Sequence, residues 1–142
     1  MSILSSYSEG QKNFGLLLLR IGIGAMFILH GYPKIIGGPE MWEKVGSAMK
    51  YLHINFFFTG WGFLAALAEF GGGILLITGI LFRPACLLMF ITMTVASLGH
   101  LKGAVTFDSV MEASHAIELG IVFFCLLFIG PGNYRLGKIV IE

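Results

Sequence analysis

Apolar residues in this chain do not alternate with polar ones. They run together in long blocks separated by short polar or Gly/Pro-rich breaks. A helix rises 1.5 Å per residue, so about 20 apolar residues cross the roughly 30 Å hydrocarbon layer of a bilayer. Blocks at residues 14–32, 57–81, 84–101 and 112–129 suit that length. The pattern therefore predicts an all-α, four-transmembrane-helix bundle forming a single membrane domain over residues 1–142.

The breaks predict where each helix stops. Pro33 lacks the N–H that a continuing helix needs, so it is expected to end the first span. Gly37-Gly38-Pro39 reads as a turn. Residues 40–52 carry Met41, Val45, Ala48, Met49 and Leu52 at spacings of three and four, with Glu43, Lys44 and Lys50 off that stripe. This segment is too short and too charged to span, and Trp42 and Tyr51 suit the headgroup zone. A short amphipathic helix lying in the interface is expected, with a polar loop holding one helical turn as the alternative. Pro84 suits the first turn of the third span. Residues 1–13 are expected to fray, residues 102–111 to form a loop, and Gly130-Pro131-Gly132 to close the fourth span.

Composition sharpens this reading. The chain is 56% hydrophobic and 12% charged, with mean hydropathy +0.87. That is about half the charge of a typical soluble domain. A net charge of +1 offers no basic footprint, so nucleic acid is not an expected partner. No small-residue cleavage site follows the first apolar run, which is therefore expected to stay as a span. Cys86 and Cys125 are isolated thiols within apolar blocks and read as small buried hydrophobes. Four crossings put both termini on one side. A small excess of Lys and Arg there (Lys12, Arg83, Arg135 and Lys138, with Arg20 nearest that side, against Lys34, Lys44, Lys50 and Lys102) favours a cytoplasmic location for the termini.

Against this background the intramembrane ionisable residues stand out. Such groups are costly in hydrocarbon and mark functional cavities by default. His30 lies near the far end of the first span and His100 at the far end of the third. His115 and Glu118 lie early in the fourth, three residues apart and so on one helix face. Glu69 sits near the middle of the second span, and Arg20 lies about 9 Å in from the opposite face. Arg20 and His30 are about 80° apart around their helix, so both can address one interior. The expected arrangement is layered: His30, His100, His115 and Glu118 form one polar tier, with an Arg20–Glu69 ion pair beneath it.

Four chemistries suit such a cavity. It could bind a quinone headgroup, with His and Glu hydrogen-bonding the carbonyl oxygens and exchanging protons. His30, His100, His115 and Glu118 could instead ligate a metal, although their spacing matches no ligand motif. Two histidines on facing helices could hold a haem. Alternatively, the cavity could be a non-redox path for protons or a small solute. No nucleotide-binding glycine motif, Fe–S cysteine pattern or nucleophile–base pair is present, so electrons would have to come from a partner.

These residues resemble the DoxX family of small four-helix membrane proteins. The resemblance begins at Arg20, Gly24, Phe27, His30, Gly31 and Lys34, read as R-x3-G-x2-F-x2-H-G-x2-K. It continues through Gly37-Gly38-Pro39, Trp42, Gly46, Met49, Glu69, Gly71-Gly72, Gly79 and Arg83. Arg135 and Gly137 depart from the family's Ser-x-Asp-like tail. The resemblance implies a bacterial cytoplasmic-membrane protein and adds Lys34 to the ligand-binding or proton-handling candidates. It also implies a subunit or anchor of a quinone-linked oxidoreductase such as thiosulfate:quinone oxidoreductase, working with a protein partner or as a homo-oligomer. A structural membrane scaffold is the further alternative.

Overall fold

The computed structural model describes residues 8–136. Its elements are α1 (Glu9–Ile36), α2 (Gly38–Gly46) with a 3-10 extension (Ser47–Leu52), α3 (Phe58–Thr78), α4 (Phe82–Leu101) and α5 (Phe107–Ile129). The helices α1, α3, α4 and α5 are each long and apolar enough to cross a membrane. The all-α bundle with an additional short helix between its first two spans is thus present.

The boundaries differ from the sequence expectation where capping chemistry intervenes. Helix α1 starts at Glu9, because Ser8 and Gln11 form a reciprocal capping box that satisfies two orphan N–H groups. Residues 8–13 are therefore ordered, while residues 1–7 lie outside the described chain. Helix α5 likewise starts at Phe107 on a Thr106–Ser109 capping box, so the expected 102–111 loop shrinks to a short connection. Pro33 does not end α1. It lies in the last helical turn, where its missing N–H deprives only the Leu29 carbonyl, and the helix continues to Ile36. Gly79, at φ +76°, makes the left-handed turn that closes α3.

Helix α1 packs on α3, α3 on α4, and α4 on α5, while α2 lies against α3 and the 3-10 turn against α4. Small residues set the closest approaches, as van der Waals packing in lipid requires. A Cβ on Gly24 would come within 2.7 Å of the Gly73 carbonyl, and one on Gly31 would strike the Phe70 backbone. Gly46 and Gly62 let α2 rest directly on the first turns of α3. The apolar core, centred on Leu76, Phe82, Cys86, Met89 and Phe123, fills the half of the bundle nearer the termini. The two thiols do not share an environment: Cys86 is buried and Cys125 is exposed.

Arg20 ties that half together. Its side chain is 1% exposed. It donates to the Leu76 carbonyl at 2.9 Å, to Ile77 at 2.8 Å, to Pro131 at 2.7 Å, and to Tyr134. One guanidinium thus joins α1 to the C-terminus of α3 and to the chain leaving α5. The α3 carbonyl end carries partial negative charge, which suits a cation. The Phe82 ring lies 5.7 Å from the guanidinium carbon. The Asn13 side chain accepts from the Asn133 N–H at 2.9 Å beside this junction.

Two outcomes test this architecture in detergent thermal scans. Arg20→Met should lower stability by at least about 3 kcal/mol, since several charge-assisted hydrogen bonds go together. Arg20→Lys should not restore it, because an ammonium cannot reach divergent carbonyls as a guanidinium fork does. Gly31→Ala should cost about 1–3 kcal/mol through overpacking. Gly22→Ala, whose Cβ would meet nothing within 4 Å, should be neutral or stabilising.

Candidate functional site

At the end of the bundle away from the termini, the packed core gives way to a cavity of about 130 Å³. Its polar wall comes from His30 and Lys34 of α1, Glu69 of α3, His100 of α4, and Glu112 and His115 of α5. Phe27, Met93, Ala96, Ala116 and Leu119 supply its apolar surface. Phe27 and Phe123 meet edge to face, their ring centroids 5.1 Å apart, where the cavity gives way to the core. The His30 and His115 rings face each other across α1 and α5 at 6.2 Å.

Helical register explains why these side chains converge. His30 and Lys34 are one turn apart near the end of α1, and Glu112 and His115 are three apart near the start of the antiparallel α5. His100 is in the last turn of α4. Helices α1, α4 and α5 present their far ends at one level, and the long Lys34 side chain reaches from that level to Glu69 in the middle of α3.

The ion pair within this site is not the expected one. Lys34 Nζ donates to both Glu69 carboxylate oxygens, at 2.7 and 2.8 Å. The Glu69 side chain is 6% exposed and that of Lys34 31%. The proposed Arg20–Glu69 pair is absent, because the Arg20 guanidinium is committed to carbonyls at the opposite end. A lysine near a helix end can lay its apolar stem along the bundle and carry its ammonium inward to a buried acid. The Lys34 carbonyl, left without an intrahelical partner at the α1 terminus, accepts from Trp42 Nε1 at 2.8 Å. This bond fastens α2 over the site.

The sequence candidates divide accordingly. His30, Lys34, Glu69, His100 and His115 all border the cavity. Glu118 does not: it is exposed, about 60° around α5 from His115 and one turn deeper. Three residues share a face only loosely, and that rotation carries its carboxylate off the cavity wall. Glu112 is the residue sequence reasoning missed: it stood at the expected first position of the fourth span and was not counted among the polar tier. The Thr106-x-x-Ser109 capping box places Glu112 on α5, three residues before His115. Glu112 also accepts from Lys102 Nζ at 3.2 Å at the exposed rim. Among the described residues, no three His, Cys, Asp or Glu side chains gather as metal ligands, and Glu118 stands off the wall that the alternative set of His30, His100, His115 and Glu118 would need.

The Lys34–Glu69 pair has a measurable signature. Lys34→Met should destabilise the protein by about 3 kcal/mol, the low end for a broken buried pair given the partial exposure of Lys34. The double variant Lys34→Met/Glu69→Gln should recover most of that loss. Thermal unfolding of the four proteins in a double-mutant cycle checks both outcomes.

Comparison with known proteins agrees with the architecture. The chain is 28% identical over 131 residues to the Escherichia coli K12 protein named inner membrane protein YphA, an alignment covering 87% of this chain and 88% of that one. No solved structure matches it significantly. The DoxX family profile matches residues 15–101, taking in α1 with its Arg20, His30 and Lys34 and continuing through Glu69 to His100. With four membrane-spanning helices and that match over more than half its length, the chain is an integral membrane protein of the DoxX family.

Proposed function

We propose that this protein is a small membrane subunit or anchor of a quinone-linked oxidoreductase, and that the cavity receives the quinone headgroup. One observation carries the reading: three histidines and a Lys–Glu pair converge around a ring-sized cavity inside membrane-spanning segments. Its volume of about 130 Å³ is close to the roughly 150 Å³ that accommodates a benzene-sized ring. That size suits a one-ring headgroup and is small for a haem macrocycle.

The residues present have the right chemistry. A quinone supplies two-electron, two-proton chemistry between its carbonyl and hydroxyl forms. His30, His100 and His115 can donate hydrogen bonds to carbonyl oxygens and carry protons on their ring nitrogens. The Lys34 ammonium, held by Glu69, places positive charge beside the histidines. Glu112 at the rim is positioned to exchange protons with the aqueous side. Electrons come from a partner oxidoreductase. The Phe27–Phe123 pair and the core beside it block the way beyond the cavity, which weighs against a continuous path for a transported solute.

The similarity to an inner membrane protein supports a bacterial cytoplasmic-membrane location. By sequence, Lys12, Arg20, Arg83, Arg135 and Lys138 fall toward the termini against Lys34, Lys44, Lys50 and Lys102 at the cavity end, a margin of one that favours cytoplasmic termini and a cavity on the opposite side.

The purified protein in mild detergent should take up decylubiquinone. His30→Ala and His115→Ala should each weaken binding about tenfold, matching the loss of one strong hydrogen bond. A protein that carries no extractable quinone and binds none on titration overturns the reading. Mass spectrometry of a mild-detergent pull-down should recover an oxidoreductase with it.

A further inference from the structure

The four spans do not close into a ring. The Cα traces of α1 and α5 nowhere approach within 8 Å, although each packs closely on its other neighbour. Side chains alone cross this seam, chiefly Phe27 to Phe123 and His30 to His115. His30 and His115 border the cavity and yet are exposed, so the cavity is reached between these two helices. Apart from Glu118, the outer lip of the seam is apolar below the histidines, with Met26 52% exposed on α1 and Val122 half-buried on α5.

The position of Glu118 fits this geometry. It stands on the α5 lip, one turn deeper than His115 and exposed at mid-span. A carboxylate facing undisturbed hydrocarbon is costly. At the edge of an opening, water or a passing polar headgroup can solvate it. The cavity's other outlet lies at the aqueous rim, where Lys102 bridges to Glu112.

We propose that the open α1–α5 seam is a lateral portal and tail groove, through which a one-ring amphiphile enters the cavity from the bilayer and leaves its apolar chain between the two helices. The inference rests on the headgroup reading above and adds where the ligand comes from and how its tail is held. The argument is one of transfer energy. Delivery through the aqueous rim would drag the whole apolar chain through water, at a cost that grows with every methylene. Delivery through the seam moves only the polar ring, from the interface into a cavity that offers it hydrogen-bond partners, while the chain stays in lipid. A tail-less ring has no such constraint and can use the aqueous rim.

The test closes the seam reversibly. Met26 and Val122 match in depth, as the Phe27–Phe123 and His30–His115 pairings of the antiparallel helices imply. In a Cys125→Ser background, Met26→Cys and Val122→Cys are linked by a flexible bis-methanethiosulfonate in phosphatidylcholine vesicles. Binding of decylubiquinone is then compared with that of the tail-less 2,3-dimethoxy-5-methyl-1,4-benzoquinone. Linking should weaken decylubiquinone binding more than tenfold, change tail-less binding less than twofold, and be reversed by reductant. Equal loss of both ligands, or retention of decylubiquinone binding, overturns the portal and leaves the headgroup site standing. Failure of the unlinked protein to bind either quinone overturns the headgroup reading and the portal with it.

Discussion

The fold depends on a guanidinium that, among the described residues, bonds to backbone carbonyls rather than to an acid. Arg20 is buried among membrane-spanning helices and is solvated by carbonyl oxygens at the end of α3 and in the segment after α5. Leaving that cation unbonded in hydrocarbon would be prohibitive, so the last turn of α3 and the segment after α5 are drawn to it. The carbonyls gain as well, since a helix end in lipid has no water to satisfy it. One side chain therefore fixes the relative position of three segments distant in sequence.

This division of labour separates the two ends of the bundle. The end near the termini holds Arg20, Phe82, Cys86 and Met89 in close packing. The opposite end is held by fewer and more polar links: the Lys34–Glu69 pair, the Trp42 bond to the Lys34 carbonyl, and the glycine contacts that seat α2 on α3. Cores made of packed apolar groups exclude ligands. A polar cavity bordered by an incompletely closed pair of helices can admit one. The stable end thus leaves the other free to hold a polar cavity.

Lys34 and Glu69 illustrate how structure and function share a group here. The pair offsets the cost of burying Glu69, and the same ammonium stands in the cavity wall beside His30. Glu69 is consequently both a packing element of α3 and part of the electrostatic setting in which the histidines work. Separating those roles requires the paired substitution rather than either change alone.

Much of this was legible in the residue pattern, because hydrophobic length and helix period are local properties. Four spans, the short helix after the first, and a common level for His30, His100 and His115 follow from counting residues along helices. Capping was equally local: Ser8-x-x-Gln11 and Thr106-x-x-Ser109 stood in the sequence as start signals for α1 and α5, and reading the second would have set Glu112 more than a turn inside α5 rather than at its start. What only the tertiary structure decided was pairing and direction. Arg20 could have faced Glu69 by depth alone, but a long side chain reaches a full helical turn either way. The choice between an acid and a cluster of carbonyls was set by which helix ends lay within that reach. Glu118 shares a helix with His115, yet its exposure depended on where α1 stood relative to α5, and so on the seam that the packing of the other helices left open.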